Sequence, residues 1–207
     1  MPVDTSNPKL YLASRSPRRR ELLAQMGVQF DVLSFRAAPR CDDEVDETVL
    51  AGETPTDYVE RLAQAKARLG WRAAGLRRLA PRVILAADTT VELNGEIIGK
   101  PVDTDDARDT LRRLSGQTHR VLTGVAVAFE STVESIVSVS EVTFGVIDDA
   151  DIQRYVASGE PMDKAGAYGI QGRAGVFVEH LSGSYSGVMG LPLCETALLL
   201  KRFGFPL

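Results

Sequence analysis

Leu12–Gly27 reads LASRSPRRRELLAQMG, and its punctuation decides the fold class. The apolar run Lys9–Ala13 is a short buried strand. Ser16 suits a helix N-cap and Pro17 the first helical position. The helix runs to about Met26, and Gly27 is a natural stop. A strand, a tight turn and a helix in that order are the unit from which α/β folds are built. The oddity is the run Arg18-Arg19-Arg20 in the first turn, where the helix dipole already places partial positive charge. At about 100° per residue, Leu22, Leu23 and Met26 form the apolar stripe. Arg18 and Arg19 fall at its edges and Arg20 falls opposite, toward solvent. Free backbone amides, the hydroxyls of Ser14 and Ser16 and two guanidinium forks together suit a phosphate-like anion. The plainer alternative is a solvated basic turn.

Working outward, Val28–Phe35 alternates as a second strand. Residues 36–53 form a long acidic loop, a length that is often functional. Pro55 opens a helix to about Gly75 with Tyr58, Leu62, Ala65 and Leu69 on one face. Arg82–Ala87 (RVILAA) is apolar throughout, as in a strand buried on both faces, and it ends at Asp88. Asn94-Gly95 signals a hairpin. A helix is expected over Asp105–Ser115, with Ala107, Leu111 and Leu114 inward. Val121–Ile147 reads as two or three strands, and Asp148 caps a short helix to about Ala157. Pro161–Gly175 is a structured glycine-rich loop, a strand lies near Val176–Glu179, and a last helix covers Pro192–Phe203. Repeats, low-complexity segments and a separable linker are absent.

The 207 residues are 44% hydrophobic and 25% charged, enough for a sizeable core in one domain with two closely joined lobes. A net charge of −4 does not favour a nucleic-acid polymer as partner. Cys41 and Cys194 form no disulfide framework and no zinc knuckle, so a reducing, cytoplasmic location is expected. No apolar run approaches the roughly 18 residues of a membrane span, and no cleavable leader is evident.

Several residues could carry chemistry. Asp88 closes an apolar strand, where open α/β sheets gather ligands, and a carboxylate there can hold a metal or orient a water. The acidic loop around Asp46 and Glu47 offers oxygen ligands for Mg²⁺, although a solvated charge run would look the same. Lys66 is either a snorkelling surface lysine or a charge aimed at a site. Lys100 is held by Pro101 just after the hairpin. His119 and His180 are isolated and read as structural. The chain has no P-loop, no GxSxG elbow and no HExxH helix.

Taken together the motifs resemble the Maf proteins, nucleoside-triphosphate pyrophosphatases once linked to septum formation. The resemblance rests on Ser14-Arg15-Ser16-Pro17-Arg18-Arg19, Asp46-Glu47, Ala65-Lys66-Ala67, Ala87-Asp88-Thr89 and Gly99-Lys100-Pro101. It also includes Leu114–His119, Asp163–Gly172 and Val188–Leu193, so that it spans about residues 9–203. It implies an elongated mixed β-sheet with flanking helices and two lobes around a cleft, similar to inosine-triphosphate pyrophosphatases. The whole chain, 1–207, would be one such domain, and a homodimer is implied. The implied reaction is hydrolysis of a nucleoside triphosphate to the monophosphate and pyrophosphate with a divalent cation, Mg²⁺ or Mn²⁺. Asp88, Lys66, Lys100 and Glu47 would be catalytic, and Glu47 and Asp88 would hold the metal, with Glu44 or Asp46 as alternatives to Glu47. Ser14, Ser16, Arg18, Arg19, Thr89 and Gln171 would bind substrate.

Within the family, a 7-methyl-GTP branch tends to carry an aromatic residue at the position of Arg18, Gln at Thr89 and Glu at Gln171. This chain matches the dTTP/UTP branch at all three, and CTP and modified pyrimidine nucleotides are further candidates in a house-cleaning role. Gln171 offers both a donor and an acceptor to the imide edge of uracil or thymine. The competing expectations are a 7-methyl-GTP enzyme and a nucleotide-binding regulator of cell division.

Overall fold

The computed structural model describes residues 8–35 and 45–207. The first half of the acidic loop, residues 36–44 with Cys41 and Glu44, lies outside them. The strands are β1 (Lys9–Leu12), β2 (Gln29–Val32), β3 (Ile84–Leu93), β4 (Glu96–Ile98), β5 (Thr118–Phe129), β6 (Thr132–Phe144) and β7 (Val178–Ser182). The helices are α1 (Pro17–Gln25), α2 (Pro55–Leu76), α3 (Thr104–Leu114), α4 (Asp149–Ala157), α5 (Tyr185–Met189) and α6 (Leu193–Arg202). The strands form one mixed sheet in the order β2-β1-β3-β5-β6-β7, with β4 also paired to β3. The fold is therefore α/β with a mixed sheet and flanking helices, as expected.

The opening stretch folds as its punctuation demands. Ser16 caps α1 by accepting the Arg19 amide at 3.4 Å, Pro17 fills the first turn, and Gly27 takes φ +71° just beyond the helix. Arg18 and Arg19 are half-buried and Arg20 is exposed.

One strand differs from its sequence reading in a way that creates the site. β3 does not end at Asp88 but continues to Leu93. Along one edge it pairs with β5 from Ile84 to Glu92. Along the other edge β1 reaches only Ile84 and Leu85, and β4 joins only at Val91. The backbone from Ala86 to Thr90 is thus left between two neighbours that stop short of each other. Asp88 lies beyond the carboxyl end of β1 rather than at the end of its own strand.

The period-two alternation of β3 then sends consecutive side chains to opposite faces. Ile84 and Ala86 pack in a cluster with Ala63, Ala67 and Ala74 of α2. Leu85 and Ala87 pack in a second cluster with Leu22 and Leu23 of α1 and Leu199 and Leu200 of α6. By parity Asp88 faces α2 and Thr89 faces α1. A third cluster, around Leu111, Phe144, Ile152 and Tyr168, sits past the gap and is built by α3, α4 and the far ends of β3, β5 and β6.

The buried face of α2 also differs in part from its reading. Leu62 and Leu69 are buried as expected, Tyr58 and Ala65 are only half-buried, and Val59, Ala63, Ala67, Gly70, Ala73 and Ala74 complete the buried face. Small residues are required there because the helix lies very close to the sheet. A Cβ on Gly124 of β5 would fall 2.4 Å from the Val59 carbonyl oxygen, and one on Gly70 would fall 2.8 Å from Ile84.

Smaller differences follow the same logic. β2 is shorter than Val28–Phe35, and β7 begins two residues later than expected. Asp148 sits at the N-cap of α4 but makes no side-chain cap bond. Short 3₁₀ turns organise the glycine-rich loop from Glu160 to Phe177. No described helix is long and apolar enough to cross a membrane.

Candidate active site

A cleft of about 700 Å³ opens at the gap beside β3. All ten residues singled out from the sequence line it: Ser14, Ser16, Arg18 and Arg19 from the β1–α1 turn, Glu47 from its loop, and Lys66 from α2. Asp88 and Thr89 of β3, Lys100 after β4 and Gln171 of the glycine-rich loop complete the set.

At the centre, Lys66 Nζ lies 2.6 Å from Asp88 Oδ1 and 2.5 Å from Glu47 Oε1. Lys66 is therefore not a snorkelling surface residue, since its side chain is only 19% exposed and bridges two carboxylates. The parity of β3 explains the meeting, because it points Asp88 at α2. Burial by itself pushes the Glu47 carboxyl up. The hydrogen bond and charge of Lys66, with the fields of Lys100 and Arg19, outweigh that and hold it below its ordinary value.

Glu47 sits on a loop, yet α2 fixes that loop. Tyr58 donates to the Glu47 carbonyl oxygen at 3.0 Å. Arg61 donates to the carbonyls of Asp46 and Thr48 and pairs with Glu53. Burial and the charges of Asp88 and Glu47 push the Tyr58 phenol up to about 12, so it stays protonated and keeps donating. Asp46 turns away, its carboxylate accepting the Thr48 amide at 2.9 Å. Of Asp46, Glu47 and Glu53, the acids described in that loop, Glu47 is the one that lines the cleft.

Across the cleft, Arg19 Nε donates to the Gly190 carbonyl at 2.8 Å and Nη2 to Thr89 Oγ1 at 3.1 Å. Desolvation lowers the Arg19 pKa, Asp88 raises it, Arg18 lowers it and Glu47 raises it, with a net decrease. A guanidinium starts so high that it remains a cation. Ser16 already occupies the Arg19 amide, so positive charge in the cleft comes more from side chains than from free helix amides. Arg18 approaches Asp163 at 3.8 Å, and Asp163 pairs with Lys164 at 2.5 Å.

Asp163, Lys164, Tyr168, Met189 and Gly190 also line the cleft, and the sequence reading gave none of them a role. Asp163 and Lys164 head the glycine-rich loop, and that charged pair was the available signal. Gly190 contributes a backbone carbonyl, which leaves no trace in side-chain pattern. His119 is buried against Phe144 with Nε2 2.8 Å from the Tyr168 hydroxyl, and burial pushes its pKa down to about 4. It is a neutral core residue, as read. His180 is exposed.

Among the described residues, no group of three or more His, Cys, Asp or Glu converges as a metal cage. Two carboxylates do converge, on Lys66. Mg²⁺ is commonly held by one or two protein carboxylates, with substrate phosphates and waters completing its shell. The donor set therefore fits a cation that binds together with a polyphosphate.

A family model described as Maf-like protein matches residues 9–203. A protein of Dechloromonas aromatica named dTTP/UTP pyrophosphatase is 65% identical over 95% of this chain and 98% of its own length. Proteins of the same name from Aromatoleum aromaticum and Chromobacterium violaceum are 60% and 53% identical, over 96% and 99% of this chain and 97% and 100% of theirs. Among solved structures, the Staphylococcus aureus Ham1 protein is similar with a TM-score of 0.43 at 18% identity, over 68% of this chain and 72% of that one.

Proposed function

This chain belongs to the Maf family, and from that membership and its cleft we propose that it is a pyrophosphatase of dTTP and UTP, releasing the monophosphate and pyrophosphate. The observation that carries the reading is the meeting of Asp88 and Glu47 on one ammonium, Lys66, with Arg19 and Lys100 lining the same cleft. A binding protein for triphosphates needs the cations but has no use for the acids. A hydrolase needs both.

Cleavage between the α- and β-phosphates develops negative charge on the bridging oxygen as pyrophosphate departs. Arg18, Arg19 and Lys100 neutralise the triphosphate, and Ser14 and Ser16 at the start of α1 fix its position. Asp88 orients the attacking water and accepts its proton, and Lys66 holds Asp88 and Glu47 in register. Catalysis of this kind is mostly positioning and charge stabilisation. Glu47 and Asp88 would hold the divalent cation, which when bound supplies further neutralisation of phosphate oxygens. Gln171 at the cleft wall offers a donor and an acceptor to a uracil or thymine edge. CTP and modified pyrimidine triphosphates present related edges and are included in the proposal.

The test is pyrophosphate release from a panel of dTTP, UTP, CTP, their methylated forms and 7-methyl-GTP, with Mg²⁺ or Mn²⁺. UTP and dTTP are expected to lead. A preference for 7-methyl-GTP would move the chain to the other branch, and no release from any triphosphate would end the enzymatic reading.

A further inference from the structure

Thr123 does not line the cleft and has no part in the chemistry above. It stands on β5 directly opposite Thr89, with 1% of its surface exposed. Its hydroxyl donates to the Gly187 carbonyl oxygen of α5 at 2.8 Å. A hydroxyl has one proton and a carbonyl can only accept. In the 2.9 Å contact between the two threonine hydroxyls, Thr89 must therefore be the donor. That spends the Thr89 proton, so Thr89 accepts from Arg19 Nη2, 3.1 Å away.

The chain of bonds runs one way, from the Arg19 guanidinium through Thr89 and Thr123 to the Gly187 carbonyl. It also closes on itself. Arg19 Nε donates to the Gly190 carbonyl at 2.8 Å, and the Gly190 amide donates to the Gly187 carbonyl at 2.9 Å. Two of the five guanidinium N–H groups are committed to this ring, which fixes the plane of the remaining three.

We propose that Thr123 is a positioning residue: it polarises Thr89 into a pure acceptor and, through it, locks the Arg19 guanidinium in the orientation that grips the substrate's phosphates. The role rests on the pyrophosphatase reading for its effect on turnover, but the lock itself is a property of the ligand-free protein. Toward substrate, Thr89 has only a lone pair to offer. It therefore suits an N–H or O–H donor and disfavours a carbonyl at that point.

Thr123→Val keeps the side-chain shape and removes the hydroxyl, whereas Thr123→Ser keeps the hydroxyl. For Thr123→Val, KM for UTP is expected to rise roughly tenfold with kcat within about threefold, because a grip on phosphate acts in ground and transition states alike. Thr123→Ser should restore KM. Independently of activity, the Arg19 Nη2–H signal in a ¹H–¹⁵N spectrum, assigned by its loss in Arg19→Lys, should be slow to exchange in the wild type and Thr123→Ser. It should be broadened or lost in Thr123→Val. If Thr123→Val does not fold, Thr89→Val opens the same chain one link earlier and must lose the same signal. An unchanged signal in the valine variant overturns the proposal, as does failure of serine to rescue. A wild type that is inactive on UTP yet shows the protected signal would instead refute the activity and leave the lock standing.

Discussion

Replacing Lys66 with Met takes the ammonium from between Asp88 and Glu47 while keeping most of its aliphatic stem. The cost follows from exposure. The Asp88 side chain is 12% exposed, and a hydrogen bond from a charged donor at 2.6 Å in such a place is worth about 1.5–3 kcal/mol. The Glu47 side chain is 52% exposed, so its 2.5 Å contact is screened by solvent and contributes only about 0.5–1 kcal/mol. The sum, about 2–4 kcal/mol, corresponds to a fall in Tm of about 5–15 °C for a chain of this size. Part of that loss depends on pH. The folded Glu47 carboxyl lies below its ordinary 4.5, so its pairing stabilises the fold above that value and is lost as pH falls through the folded value. The Tm gap between wild type and Lys66→Met should thus be wider at about pH 7.5 than at about pH 4, by a few degrees. Differential scanning calorimetry at both pH values measures it. A gap that is absent, or that widens in acid, would refute the bridged pair.

Asp88→Ala should lower kcat by about a hundredfold or more while leaving nucleotide affinity nearly unchanged, as single-turnover kinetics and equilibrium binding would report. Near wild-type turnover would remove Asp88 from water activation. Gln171→Glu leaves an acceptor-only group and should raise KM for UTP by about tenfold, measured alongside turnover of 7-methyl-GTP. An unchanged base preference would take Gln171 out of the base site. Chelation with EDTA should abolish pyrophosphate release and added Mg²⁺ restore it; full activity in EDTA would contradict a role for the cation.

The sequence was most legible where a residue's local job is also its chemical job. Ser16, Pro17 and Gly27 mark the turn and helix directly, and the misplaced charge of Arg18 and Arg19 pointed to the cleft they line. Legibility failed where tertiary contact decided the outcome. β3 looks finished at Asp88 because the apolar run stops there, yet pairing with β5 carries it to Glu92 and pairing with β4 to Leu93. The face of α2 is only half legible: Leu62 and Leu69 mark it, but close packing on the sheet also selects small residues, Ala63, Ala67 and Gly70, which weigh little in a hydrophobic pattern. α5 spans only Tyr185–Met189, too short for any periodicity to show. Thr123 is one of two threonines in β5, and its register opposite Thr89 is what distinguishes it. Lys66 stood between two readings until the parity of β3 turned Asp88 toward it.

The central claim is that water attacks the α-phosphorus of a pyrimidine triphosphate held in this cleft. Hydrolysis of UTP in ¹⁸O-labelled water, followed by mass spectrometry of the products, tests it most directly. The account predicts UMP and pyrophosphate with the label in UMP. Label in pyrophosphate, or release of UDP and inorganic phosphate, would contradict it.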